Sequence, residues 1–293
     1  MITVRIPTSA RILAPALALT LLGVACDPDT TAPEIPYAPG EPTSTLPPLD
    51  GAPAPGEALT PAVRHAPLPD VRVWGSLRGI NADGDTSPNV TLRDALDALD
   101  GPGELVALGN VAGLRGEITA VGNTLAISRP CDDGLCQETL SPDDIPDALA
   151  ATLLVATRVE GWIDLFAPED LDLDALATFL ANTRQERGLG NDPMPVVILG
   201  AIDHFHGHVV DADRLGARIA GTCEDRAARL PAITGDDLEG RLVLFHDPGP
   251  PGRIVSHVRP LHVHALLADG RSLHVDAATV RAGNRIRIPR TEY

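Results

Sequence analysis

Three histidines stand in the stretch LHVHALLADGRSLHVDA: His262, His264 and His274. Side chains alternate across a strand, so His262 and His264 project to one face while Val263 and Ala265 project to the other. Between the two apolar runs, ADGR supplies Asp-Gly turn chemistry, and a hairpin closed there returns His274 beside the pair. Three neutral imidazoles with an open fourth position are the arrangement of catalytic zinc. The spacing therefore predicts a metal site on His262, His264 and His274.

A second group, His204, His206 and His208, closes the run MPVVILGAIDHFHGHVVDA. Alternation places these three on one strand face as well, which fits either a second metal site or a partly exposed strand end.

The elements that must position these residues are mostly strands. ELVALGNVAGLRGEITAVGNTLAIS alternates short apolar runs with glycine turns and predicts consecutive antiparallel strands, continued by TLLVATRVEGWIDLF. GRLVLFHD predicts another strand ahead of the histidine hairpin. Two helices interrupt them. NVTLRDALDAL, after the first strand VRVWGSL, has helical spacing with Asn89 or Thr91 as N-cap. DLDLDALATFLANTRQERG places Leu173, Leu176, Phe179 and Leu180 on one face and ends at Gly188. The fold class is α+β and strand-rich, with packed mixed β-sheets and a few helices.

The chain starts with a short apolar run behind Arg5 and Arg11, which reads as an export signal over residues 1–25. Cys26, after Leu-Leu-Gly-Val-Ala, resembles the lipidated cysteine of a bacterial lipobox, with Gly23 where leucine is preferred. This predicts an exported protein held to the cell envelope by a lipid. Residues 27–70 are crowded with Pro, Ala, Gly and Thr and read as a tether, leaving residues 71–293 for one domain. Net charge of -17 without a basic patch excludes nucleic acid as a partner and leaves the lipid as the link to a membrane. All 23 basic residues are Arg, which excludes lysine Schiff-base chemistry. CDDGLC places Cys131 and Cys136 close enough for a small disulfide loop, and Cys223 reads as a buried thiol.

In order along residues 71–280 these pieces resemble the bacterial α-acetolactate decarboxylase family. VRVWGSLRGINADGDTSPNVTLRDAL is similar to the family's first strand and G-D-x-T-L-x-x-L helix start, and GELVALGNVAGLRGEITAVGNTLAI to its G-x-G-T-x-x-x-L-x-G-E-x-x-x-x-D-G block. LHVHALLADGRSLHVDA resembles H-x-H-F-x-x-x-D-x-x-x-G-G-H-V-x-D, the segment that carries the family's zinc ligands.

That resemblance implies that His262, His264 and His274 bind zinc and that Glu117, in RGEI, transfers a proton in the site. The implied reaction is decarboxylation of 2-acetolactate, or a related 2-hydroxy-3-keto acid, to acetoin and carbon dioxide, by a homodimer. Two departures stand out. The family's substrate-binding arginine aligns with His208, so an arginine restored there is expected to raise activity if the carboxylate clamp is all that is weakened. The family's second active-site acid lies in a C-terminal extension, for which Glu292 is the substitute in this sequence. Those departures favour a second reading, a degenerate zinc-binding or ligand-binding lipoprotein that keeps only the fold.

Overall fold

The computed structural model describes residues 67–99, 101–132, 134–216 and 230–291. The export signal, Cys26, most of the tether, Cys223 and Glu292 lie outside the described residues.

Two antiparallel sheets dominate. The first contains β1 (Arg72–Trp74), β2 (Val90–Thr91), β3 (Glu104–Val111), β4 (Glu117–Val121), β5 (Thr124–Cys131), β6 (Gly134–Leu140) and β7 (Ala150–Val159). Its order is β1-β7-β3-β4-β5-β6, with β2 also on β7. The second contains β8 (Trp162–Phe166), β9 (Leu171–Asp172), β10 (Met194–His208), β11 (Ala232–Gly235), β12 (Leu238–His246), β13 (Leu261–Leu267), β14 (Ser272–Val280) and β15 (Arg285–Pro289). Its order is β8-β15-β10-β12-β13-β14-β9, with β11 on β10. The 15-residue β10 pairs with β12 along its first half and with β14 along its second, so the second sheet curls until β10, β12, β13 and β14 close on one another.

Period-two alternation gives each sheet two faces, and each face is covered. Val106, Leu108, Val121 and Leu153 of the first sheet meet Val197, Val243 and Phe245 of the second. On the outer side of the first sheet, Ile118 and Ala120 pack with Leu92 and Ala95 of helix α2 (Leu92–Asp97). On the far side of the second, Val263, Ala265, Leu273 and Val275 pack with Leu173, Leu176 and Leu180 of helix α3 (Leu173–Glu186). A 14-residue helix is marginal alone, and burial of those leucines, about 1.5–3 kcal/mol each, is what holds α3 in place. Asp172 caps it by accepting from the backbone of Asp174 and Ala175.

The α+β, strand-rich architecture expected from the sequence is the one observed. Thr91, one of the two candidate caps, caps α2. Sequence periodicity missed a short helix, α1 (Leu77–Asp83), between the first strand and α2. It buries only Ile80, so it leaves no apolar period; the Ser76 cap and the left-handed Gly84 set its ends. Cys131 and Cys136 form a disulfide across the turn joining β5 to β6.

Candidate metal centre

The β13–β14 hairpin turns through Asp269 and Gly270, the latter at φ 90°, and sets His264 directly opposite His274. Beside it, β10 sets His208 opposite His274 from the other side. That approach needs Gly207, because a Cβ there would stand 2.9 Å from the His274 carbonyl oxygen and 2.6 Å from the Phe205 ring. All these rings lie on the face that meets the first sheet, with Glu117 and Thr119 of β4 across the gap.

His262, His264 and His274 come together as the hairpin requires. Their ring centroids lie 5.2–5.5 Å apart, and one ligand nitrogen from each falls within 4.8 Å of the others. Among the described residues this is the one cluster that could hold a metal ion. Two of the imidazoles are held in the manner of metal ligands, with one nitrogen bonded and the other free. His264 Nδ1 lies 3.0 Å from the Ile118 carbonyl oxygen, to which it can only donate, and 3.2 Å from Thr119 Oγ1. Its buried Nε2 has no hydrogen-bond partner. His262 bonds the backbone of Ile254, and its buried Nδ1 is likewise without a partner. Buried polar atoms left unpaired are costly, and here two of them belong to rings of one histidine cluster. The residues fit a divalent metal ion.

Burial holds the three rings neutral, as ligands must be. It lowers His262 to about 3 and His274 to about 4, and depresses His264 strongly; each also feels its neighbouring histidines. His246, buried at the end of β12 near Arg184, falls to about 4 by burial first and the guanidinium second. An unfolded histidine takes its proton near pH 6.5, whereas these four resist it when folded, so the unfolded chain binds more protons below that pH. Their contribution to stability is present above pH 6.5 and lost as pH falls through the window. Glu117 and His206, both with raised values, act with the opposite sign, but four groups outweigh two. Chelator-treated protein should therefore show a lower urea midpoint at pH 5 than at pH 7.5; an unchanged or higher midpoint would contradict the neutral buried triad.

Glu117 is fully buried at the start of β4. Its Oε2 accepts from Asn110 Nδ2 at 2.7 Å and lies 3.5 Å from His264 Nε2, while Oε1 accepts from the Val210 backbone at 3.0 Å. Burial pushes its carboxyl well above the usual range, against the pull of those two hydrogen bonds. The result is a carboxyl that resists ionisation beside three imidazoles that resist protonation.

The histidines of β10 do not behave as one face. Register shifts between Asp203 and His206 and between His206 and Gly207 mark a bulge, and His204 sits at φ 45°. His204 is mostly exposed, with its backbone N–H and its ring both turned to Asp236. His208 instead lies against His274, ring centroids 5.1 Å apart. His206 and His208 both direct Nδ1 at Asp276 Oδ2, at 3.0 and 2.7 Å. Burial would raise Asp276, but the two histidine hydrogen bonds prevail and hold its carboxyl well below its usual value. The hydrogen bond to Asp276 raises His206. Asp276 was missed from the sequence, although its place two residues after His274 put it on the same face. Asn110 and Thr119 were missed as well, and nothing local in the sequence marks them.

No family model matches the chain, and no curated protein does. Solved structures do. An acetolactate decarboxylase from Bacillus subtilis subspecies spizizenii is similar at TM-score 0.55 and 12% identity, over 75% of this chain and 85% of that one. An alpha-acetolactate decarboxylase from Bacillus subtilis strain 168 is similar at TM-score 0.55 and 13% identity, over 76% and 86%. A protein of unknown function similar to alpha-acetolactate decarboxylase from Staphylococcus aureus follows at TM-score 0.51 and 16% identity, over 74% and 84%. At such identities the likeness is one of fold, and it is the fold expected from the sequence resemblance.

Proposed function

We propose that this chain is a zinc-dependent lyase that decarboxylates 2-acetolactate, or a related 2-hydroxy-3-keto acid, to acetoin and carbon dioxide. The observation that carries this reading is the clustering of His262, His264 and His274, one ligand nitrogen of each within 4.8 Å of the others, with the buried carboxyl of Glu117 3.5 Å from His264 Nε2. His262, His264 and His274 would hold the ion, which supplies Lewis acidity for the charge that gathers on the substrate's ketone oxygen.

In this reaction the bond to the carboxylate breaks, carbon dioxide leaves, and the electron pair settles as an enediolate. Glu117 then gives its proton to carbon to form acetoin, a task for which a carboxyl raised by burial is suited. Asn110 and the Val210 N–H hold both of its oxygens and so fix the direction from which that proton arrives. His208, beside His274, is the group nearest the place where the family resemblance puts an arginine. The sequence at Cys26 and over residues 27–70 supports placing this chemistry outside the cytoplasmic membrane, on a lipid tether.

A second reading, a metal-binding protein without turnover, is favoured by two features: β10 has no arginine, and the Nδ1 donor of His208 is taken up by Asp276. Elemental analysis coupled to an acetoin assay with racemic acetolactate separates the two. One zinc per chain with acetoin formed is the expected result. One zinc without acetoin would give the second reading, and absence of zinc would remove both.

A further inference from the structure

We infer that Asp276 is a positioning residue that decides how position 208 meets the substrate, so that His208 and Asp276 work as one unit at the rim of the site. This rests on the decarboxylase reading above. Asp276 follows His274 by two residues on β14 and shares its face. Its Oδ2 lies 2.7 Å from His208 Nδ1 and 3.0 Å from His206 Nδ1. A carboxylate has no proton to offer, so each Nδ1 donates, and in the tautomer this fixes Nε2 of His208 is an acceptor, left to take a hydrogen bond from the substrate's hydroxyl. Asp276 thus orients the ring that packs on His274.

The same geometry bears on an arginine at 208. A guanidinium there would stand beside a carboxylate that already reaches Nδ1 at 2.7 Å, and a two-pronged ion pair with Asp276 would take up its donors before a substrate carboxylate could. His208→Arg alone is therefore not a restoration, contrary to the expectation from sequence. Restoration requires a change at both positions, with the new arginine released by Asp276→Asn.

The test uses the zinc-loaded full chain and reads KM and kcat separately, with zinc content alongside. Asp276→Ala should raise the KM for acetolactate about 10-fold, the loss of one hydrogen bond to a charged group. It should leave kcat and zinc content close to wild type. Asp276→Asn, which keeps one acceptor oxygen in place, should fall between. His208→Arg alone should not lower KM, whereas His208→Arg with Asp276→Asn should lower it below wild type.

An unchanged KM in Asp276→Ala, or a gain from His208→Arg alone equal to that of the double variant, overturns the proposal. Nitrogen NMR of the histidines keeps it testable without turnover. The probe is 2,3-dihydroxy-2-methylbutanoate, which retains the carboxylate and both oxygens but cannot lose carbon dioxide. It should move the His208 Nε2 resonance in wild type and not in Asp276→Ala. No acetoin with that pattern intact would sink the decarboxylase reading alone; acetoin formed with no effect of Asp276 would sink this one alone.

Discussion

Replacing Glu117 with glutamine should lower acetoin formation by about 10²–10⁴-fold, the usual contribution of a positioned proton donor, while one zinc per chain stays bound. The substitution removes the proton and little else. Glutamine has the same shape, its oxygen can still accept from the Val210 N–H, and Asn110 can flip its amide to face the new NH2 group. No backbone element is disturbed, because the side chain is already fully buried and packed. A loss of turnover with zinc retained therefore reports the missing proton, not a collapsed site. Turnover within a few-fold of wild type would show that the proton comes from elsewhere.

Loss of a ligand should have the larger effect on the metal. His262→Ala is expected to weaken zinc binding by more than about 100-fold, since removing even an outer partner of a ligand costs 10- to 100-fold. Two remaining imidazoles with water do not hold the ion through dialysis at stoichiometric level. His262 is buried, its ring bonded to the Ile254 backbone, and alanine removes its imidazole from the cluster outright. His204 is no substitute, because it is exposed on the bulged part of β10 and engaged with Asp236. Zinc content unchanged after dialysis would refute the triad and direct attention to His208, the remaining imidazole in contact with His274.

Much of this centre was legible in the chain because it is built from local rules. HxH on a strand and an Asp-Gly turn suffice to bring His262, His264 and His274 together, since alternation and turn geometry leave little else for the backbone to do. The strands β3, β4 and β5 and the helix α3 were equally legible, each having an apolar period and a stop signal of its own. Glu117 was reached only through the family resemblance, because nothing local in RGEI marks it as buried. It is enclosed by Asn110 of β3 and Val210, just past the end of β10.

The failures share a cause. His204, His206 and His208 read as one face, but the bulge in β10 breaks the alternation on which that reading depends. Asp276 stands within the histidine hairpin segment, but its importance arises only because β14 lies against β10, which itself requires Gly207.

The sequence by itself determined which residues could become ligands, the faces on which the hairpin presents them, and the strand-rich class of the fold, because these follow from backbone sterics over a few neighbouring residues. Only the tertiary structure decided which ring nitrogens stay unpaired, that burial raises the Glu117 carboxyl above its usual range, and that Asp276 holds His208. Those properties are made by desolvation and hydrogen bonding between strands far apart in the chain, and they come into being when the two sheets close on each other.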